Sequence, residues 1–173
     1  VLYANYLRAC EEIGNVNSTK AALGLLQNVS SEHPVDGWQL FSIKYVALIE
    51  HCISSRKYEQ GAAIIEKIST RLKNAHGNIL LGKEYLFYYF CVETYVNLQQ
   101  FNEALKWLQR FFQRPTFDYR EDLYLILRLL NIMVHYELEN PGNFESECRS
   151  LVRLLKQLEQ SCEFETLLIK YLK

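Results

Sequence analysis

Apolar residues recur along the chain in steps of three, one and three. This spacing places them on one stripe of a helix and not on one face of a strand. The same set of positions recurs three times, first 43 and then 41 residues further along: Tyr45, Leu48, Ile49 and Cys52; Tyr88, Cys91, Val92 and Tyr95; Leu129, Ile132, Met133 and Tyr136. The pattern predicts an all-α protein with a repeated helical unit.

A second set of positions gives the period of the repeat. Tyr58, Phe101 and Phe144 each begin a predicted helix, and they lie 43 residues apart, twice in succession. The loop before Phe144 is interpreted as longer by two residues, at Asn140-Pro141-Gly142. A fixed period of 20 to 50 residues is typical of solenoids, in which each helix pair packs against its neighbours. We therefore expect antiparallel helix pairs stacked side by side.

Loop residues and proline place the boundaries of these pairs. Four pairs are predicted at about 1–32, 36–74, 78–114 and 118–160, and a closing helix at 163–172. The closing helix rests on apolar residues that follow helical spacing, namely Phe164, Leu167, Leu168, Tyr171 and Leu172. All of them belong to a single helical-repeat domain over 1–173, and because residue 1 is Val we expect this domain to be part of a longer protein.

The order of residues within each pair resembles the tetratricopeptide repeat. In the third pair the positions of that family's two helix cores are filled by Tyr88, Cys91, Val92, Tyr95, Phe101, Ala104, Leu108 and Phe111. A small residue at Ala104, and at Gly61 in the second pair, lets the two helices approach closely. The resemblance covers roughly residues 37–160 and implies a right-handed superhelix of about four pairs. The spacing of 43 residues instead of 34 leaves a longer-helix solenoid of the HEAT type as the structural alternative.

Composition and charge narrow the class of protein. The chain has 19 basic and 20 acidic residues, a net charge of −1, which gives no broad positive field for nucleic acid or membrane. Charged residues interrupt every apolar stretch well before membrane-spanning length. The cysteines are odd in number and widely spaced, so buried thiols in a reducing cytoplasm are expected. They are Cys10, Cys52, Cys91, Cys148 and Cys162.

No motif for catalysis, for a metal or for a cofactor is present in the sequence. His51 and Cys52 are adjacent, but neighbouring side chains on a helix point about 100° apart and do not form a catalytic couple. The acidic residues are interpreted as solvated helix faces, not as an acid–base pair. The sequence therefore predicts a protein that is not an enzyme and needs no cofactor.

Two surfaces are candidates for binding. The first is the groove lined by the first helix of each pair. The resemblance implies that Val46, Ser54, Leu130, Val134 and Glu137 face this groove. Its partner-binding candidates are Glu50, Tyr89, Glu93, Asn97, Asn131 and His135. The lysines and arginines with which this family clamps an acidic peptide terminus are missing there, so an apolar or basic segment fits better. Packing between pairs is the alternative role for Tyr89 and Leu130.

The second surface is a basic band on the second helix of each pair. Its members recur at the 43-residue step or one helical turn away from it, and they are Lys67, Arg71, Lys106, Arg110, Arg114, Arg149 and Arg153. The band can attract an acidic or phosphorylated partner or a nucleic-acid backbone. Ordinary solvated surface explains these residues better, because the net charge is close to zero.

The sequence thus predicts a scaffold that binds a protein or peptide in the helix-lined groove. Two alternatives stay open. One is a ligand-sensing regulatory domain of a larger transcription or signalling protein, and the other is a solenoid that binds nucleic acid through the basic band.

Overall fold

A computed structural model describes residues 2–29, 34–73, 79, 81–113 and 121–157. These residues form eight α-helices and contain no β-strand, which confirms the all-α prediction. The closing helix predicted at 163–172 lies outside the described residues. In chain order the helices are α1 (Leu2–Glu12), α2 (Val16–Asn28), α3 (Pro34–Ser54), α4 (Tyr58–Lys73), α5 (Leu81–Asn97), α6 (Phe101–Phe112), α7 (Glu121–Glu137) and α8 (Pro141–Gln157).

Consecutive helices form pairs, and the pairs contact one another in series. The odd-numbered helices follow each other, because α1 contacts α3, α3 contacts α5, and α5 contacts α7. Each of α2, α4 and α6 also contacts the odd-numbered helix of the next pair. The largest core cluster extends from α3 to α7, around buried residues such as Ile49, Cys91 and Leu108.

All four turns within the pairs have the same backbone geometry. The second residue after the first helix has a positive φ in each case: 72° at Gly14, 55° at Arg56, 57° at Gln99 and 50° at Glu139. The following residue donates its N–H to the carbonyl five residues earlier, over 2.7 to 3.0 Å. These contacts define the Schellman motif, which satisfies carbonyls at the end of a helix. The positive-φ residue therefore gives every pair the same reference position, from which matching residues of different pairs can be identified.

The positive φ at Gln99 leads to a stability prediction. Left-handed backbone crowds the Cβ of an L-residue, so Gln99→Gly should raise the free energy of unfolding by about 0.5–1 kcal/mol. Urea unfolding followed by circular dichroism measures the change. The neighbouring Gln100, with a φ of −90°, is the matched control. Gln100→Gly should give no gain, and a gain at both positions, or at neither, would contradict this reading of the turn.

The distance between successive turns is not constant. The positive-φ residues lie 42, 43 and 40 residues apart. Tyr58 and Phe101 are the first residues of α4 and α6, but Phe144 is the fourth residue of α8. The prediction that the 43-residue step continues into the fourth pair is therefore wrong. Its cause is Pro141, which was counted as an extension of the loop but begins α8, where the fixed φ of proline suits the first helical residue.

Counting from the turns reveals the positions that build the core. One position on each odd-numbered helix is buried in every pair, and so is the position three residues later. The first set is Leu7, Ile49, Val92 and Ile132, and the second is Cys10, Cys52, Tyr95 and His135. The corresponding position on the even-numbered helices is also buried, at Leu26, Ile68, Phe111 and Leu151.

The predicted apolar stripe of α7 is correct at Ile132 and wrong at two other positions. Met133 is 36% exposed and Tyr136 is 65% exposed, whereas both were expected in the core. The predicted step was one residue too long for this helix, and one residue turns a helix face by about 100°. Asn131 and His135 occupy the buried positions instead.

The small residue expected in the second pair is required by the packing. A Cβ atom on Gly61 would lie 3.3 Å from Cγ2 of Thr94 and 3.4 Å from Cβ of Cys52. Ala104, at the corresponding position of α6, is fully buried. The small side chains therefore allow α4 and α6 to approach their neighbours closely.

Candidate functional site

The odd-numbered helices carry twelve residues at matching positions, counted from the turns and spaced four residues apart on each helix. Residues four apart lie on one side of a helix, and these helices contact each other in series. Only Val46 of the set is buried. We call the set the odd-helix face, and it comprises Ala4, Arg8 and Glu12; Val46, Glu50 and Ser54; Tyr89, Glu93 and Asn97; Leu129, Met133 and Glu137. Four of the predicted binding residues, Glu50, Tyr89, Glu93 and Asn97, belong to it.

An ion pair links α1 to α3 across this face. Nε of Arg8 donates to both carboxylate oxygens of Glu50, over 3.0 and 3.1 Å, and a second guanidinium nitrogen donates over 2.7 Å. The hydrogen bond to Glu50 is the main cause that raises the pKa of Arg8. Two opposite charges held this way largely neutralise each other. The carboxylate of Glu50 is thus already paired with Arg8 and adds little net charge to the face.

Three residues of α5 form a local hydrogen-bonded group on the same face. The side chains of Tyr89 and Glu93 are hydrogen-bonded, and Nδ2 of Asn97 donates to the backbone carbonyl of Glu93 over 2.8 Å. Burial, followed by the charge of Glu93, raises the pKa of Tyr89 to about 12. Burial also raises the pKa of Glu93, against the opposing effect of the Tyr89 hydrogen bond. Tyr89 therefore offers a ring and Glu93 a half-buried acid to a ligand.

The predicted binding residues on α7 lie on a different side of their helix. Asn131 and His135 are 4% and 7% exposed, on the side of α7 that forms the core, and do not belong to the odd-helix face. Val134, which was expected in the groove, is fully buried, and Met133 takes the matching position on the face. Nδ1 of His135 is buried and has no hydrogen-bond partner among the described residues.

A cleft of about 670 Å³ lies beside the turn between α7 and α8. The rings of Tyr136 and Phe144 are 5.9 Å apart in it and inclined by 53°. Among the described residues that line it, the charged ones are all acidic, and His135 also lines it. We call it the α7–α8 cleft, and its lining residues are His135, Tyr136, Glu137, Glu139, Asn140, Pro141, Phe144 and Glu145. Glu137 belongs both to this cleft and to the odd-helix face.

A smaller cavity of about 200 Å³ opens where α1 meets α3. Four apolar and five polar or charged residues line it, namely Ala4, Ile43, Val46 and Ala47, and Asn5, Arg8, Gln39, Ser42 and Lys83. A cavity of this size has room for one aliphatic side chain, which the four apolar residues would contact.

The basic band is only partly continuous in the structure. Lys67 and Arg110 occupy matching positions, but the matching residue of α8 is Ser150. Arg149 precedes it by one residue and Arg153 follows it by three. Arg71 lies 5.0 Å from the ring centre of Trp38. Arg71 also lies 4.7 Å from the ring centre of Phe41. Three further cations of the band contact residues of this chain, with Arg110 over Trp107 at 4.6 Å, Lys106 to Glu103 at 2.6 Å and Arg149 to Glu145 at 3.4 Å. Arg114 lies outside the described residues.

Cys52, Cys91 and His51 are placed for packing and for contacts between helices. Burial raises the pKa of Cys52, and it raises the pKa of the fully buried Cys91 as well. Both thiols are therefore held in the protonated form, which is a poor nucleophile. His51 contacts Glu11 through Nδ1, so that this pair also joins α3 to α1. The described part of the chain holds no group of three or more His, Cys, Asp or Glu residues placed to bind a metal.

Sequence reasoning missed Arg8 and the α7–α8 cleft. Arg8 lies 42 residues before Glu50, which is the spacing between the first two turns, and its charge is opposite. Tyr136 and Phe144 flank a stretch containing Glu137 and Glu139 next to Pro141. Only Asn140-Pro141-Gly142 was interpreted as an extension of the loop, and Glu137 was expected in the groove. The charges and rings of the whole stretch are the signal for the cleft.

No protein-family model, curated protein or solved structure matches this chain. None of the described helices combines the length and the apolar character that crossing a bilayer requires.

Proposed function

We propose that this protein is a non-catalytic module of helical repeats, arranged as a superhelix like that of tetratricopeptide repeats. It binds an extended or helical segment of a partner protein along the odd-helix face. Four identical turns and the serial contacts of the odd-numbered helices support the repeat arrangement. The even-numbered helices that contact the next odd-numbered helix support it as well.

The observation that carries the proposal is the composition of the odd-helix face. The face has an aromatic ring at Tyr89 and side chains that are at least partly exposed from α1 to α7. A small cavity beside Val46, lined in part by apolar residues, opens on it. A peptide laid across helices in this way is recognised by pockets for apolar side chains and by polar groups that fix its register. Such a face binds a partner without any chemical step.

Charge indicates the kind of partner. The twelve residues of the face carry four carboxylates and one guanidinium, and that guanidinium is paired with Glu50. Three acids therefore have no cation on the face to neutralise them, namely Glu12, Glu93 and Glu137. Opposite charge speeds association and selects partners, so the bound segment is expected to be basic and apolar.

Selection from a displayed library of random peptides tests this proposal. Enriched peptides should contain Lys or Arg beside an apolar residue. They should bind Tyr89→Ala/Glu93→Lys at least tenfold more weakly, because the variant removes the ring and reverses a charge. Circular dichroism establishes that the variant is folded.

A second variant is the matched control. Lys67→Glu/Arg153→Glu also changes two residues, but on the exposed surface of α4 and α8. It should leave peptide binding unchanged. If the selected peptides bind Tyr89→Ala/Glu93→Lys as tightly as the original protein, or lose affinity only for Lys67→Glu/Arg153→Glu, the odd-helix face is not the binding surface.

A further inference from the structure

We infer that the α7–α8 cleft binds a cationic side chain, an arginine or a lysine of a basic peptide segment. The inference rests on the proposed function, since Glu137 joins the cleft to the odd-helix face. It adds one defined anchoring point for the partner, at the end of that face.

The first argument is the pair of aromatic rings. Tyr136 and Phe144 lie 5.9 Å apart and are inclined by 53°, and both line the cleft. The face of an aromatic ring attracts a cation within about 6 Å of its centre. With 65% of Tyr136 exposed, its ring is accessible to a ligand. A cation over the exposed face of Tyr136 would meet this condition.

The second argument is charge. Glu137, Glu139 and Glu145 line the cleft, and none of the described residues that line it is Lys or Arg. Glu145 pairs with the exposed Arg149 at 3.4 Å. Glu137 and Glu139 form no ion pair with another described residue. A ligand cation would therefore be attracted by two carboxylates that the described part of the chain leaves without an ion-pair partner.

The third argument is the state of His135. This residue is 93% buried, lines the cleft, and has no described hydrogen-bond partner at Nδ1. A buried polar atom without a partner is rare in native proteins and destabilises the fold. Neutral imidazole accepts a hydrogen bond from an ammonium or guanidinium N–H. A ligand donor that reaches Nδ1 would supply the hydrogen-bond partner that the described residues do not.

The cleft also has room for such a side chain with part of its backbone. Its volume of about 670 Å³ is within the range of small-ligand sites. Phosphate or carboxylate groups do not fit here, because three carboxylates would repel them. The charge of the lining thus selects a cation.

Titration with capped Gly-Ser-X-Ser-Gly pentapeptides tests the inference, with X as arginine, lysine, trimethyl-lysine or the uncharged norleucine. The full chain carries ¹³C in its His, Tyr and Phe rings. The cationic peptides should shift the NMR signals of His135, Tyr136 and Phe144 in a saturable manner, and norleucine should not. The arginine and lysine peptides show which cation binds more tightly. Trimethyl-lysine, which has no N–H, separates cation–π attraction from hydrogen bonding to His135.

Variants then locate the site. Tyr136→Ala should weaken binding about three- to tenfold, which is the range for one cation–π contact. Glu137→Gln/Glu139→Gln should weaken it as well and should reduce its dependence on salt. Tyr6→Ala, at a 44% exposed tyrosine of α1, is the matched control and should have no effect. Equal shifts with norleucine, or unchanged affinity in Tyr136→Ala, would overturn the inference.

The same titration separates this inference from the proposed function. If the cationic peptides shift Tyr89 but not Tyr136 or His135, the odd-helix face binds basic segments and the cleft does not. If the cationic peptides shift the cleft signals while Tyr89→Ala/Glu93→Lys leaves the affinity for the selected library peptides unchanged, the cleft binds cations. The odd-helix face is then not the peptide-binding surface.

Discussion

Replacing Phe111 with alanine should lower the free energy of unfolding by about 3–5 kcal/mol, the usual range for a buried phenylalanine. The side chain is 2% exposed and lies where α5, α6 and α7 meet. Its ring centre is 5.0 Å from that of Tyr85, 5.7 Å from Tyr88 and 5.8 Å from Tyr124. Alanine would leave a cavity in this cluster and remove contacts that join the third pair to the fourth.

Phe111→Ala should also make unfolding less cooperative. Stability in stacked repeats depends on interfaces between neighbours, so a weak interface lets the outer pair unfold first. Urea unfolding of Phe111→Ala should show a lower midpoint and a broader or divided transition. Leu25→Ala, at a 47% exposed residue of α2, is the control and should change stability by less than about 1 kcal/mol. A loss of similar size at both positions would show that Phe111 does not join the two pairs.

The sequence could predict the second and third pairs because their pattern is regular. Tyr88, Cys91, Val92 and Tyr95 are all buried, as their helical spacing indicates. Helical periodicity depends on neighbours along the chain, and those are visible in the sequence.

The fourth pair could not be aligned by periodicity alone. Its turn has Glu139 at the positive-φ position, so that, as at Arg56 and Gln99, no glycine marks the end of the first helix. The useful signal was Asn140-Pro141, since proline is frequent at the first position of a helix. Counting from that proline places Asn131 and His135 in the core and Met133 on the surface.

The composition of the site depends on contacts between helices that are distant in sequence. Glu50 could be predicted on the odd-helix face from its spacing, but its pairing with Arg8 depends on how α1 lies against α3. The α7–α8 cleft likewise depends on the angle at which Phe144 approaches Tyr136. Neither orientation is encoded by a local pattern.

The second large effect is expected at Arg128, which joins the last pair to the rest of the fold. Its guanidinium donates to Glu147 over 2.6 Å and also to the hydroxyl of Ser150. Its centre lies 5.3 Å from the ring of Phe112 and 5.8 Å from that of Tyr124. The position corresponds to Tyr88 when counted from the turns. The guanidinium of Arg128 therefore packs at the junction of α6, α7 and α8. An aromatic ring occupies the matching position in the third pair.

Arg128→Met should lower the free energy of unfolding by about 2–4 kcal/mol. The side chains of Arg128 and Glu147 are 13% and 26% exposed, so the variant would leave a carboxylate unpaired in a mostly buried site. The variant also loses the stacking of a cation on two rings. Arg128→Lys should recover only part of the loss, because lysine has neither the planar fork nor its stacking.

Two comparisons test this explanation by urea unfolding. Arg149→Met removes the exposed pair with Glu145, whose side chains are 69% and 66% exposed, and should change stability by no more than about 0.5 kcal/mol. Arg128→Met/Glu147→Leu should be more stable than Arg128→Met alone, because no carboxylate is left unpaired. If the double variant is less stable than Arg128→Met, Glu147 contributes through contacts other than the ion pair, and the junction is not held by charge.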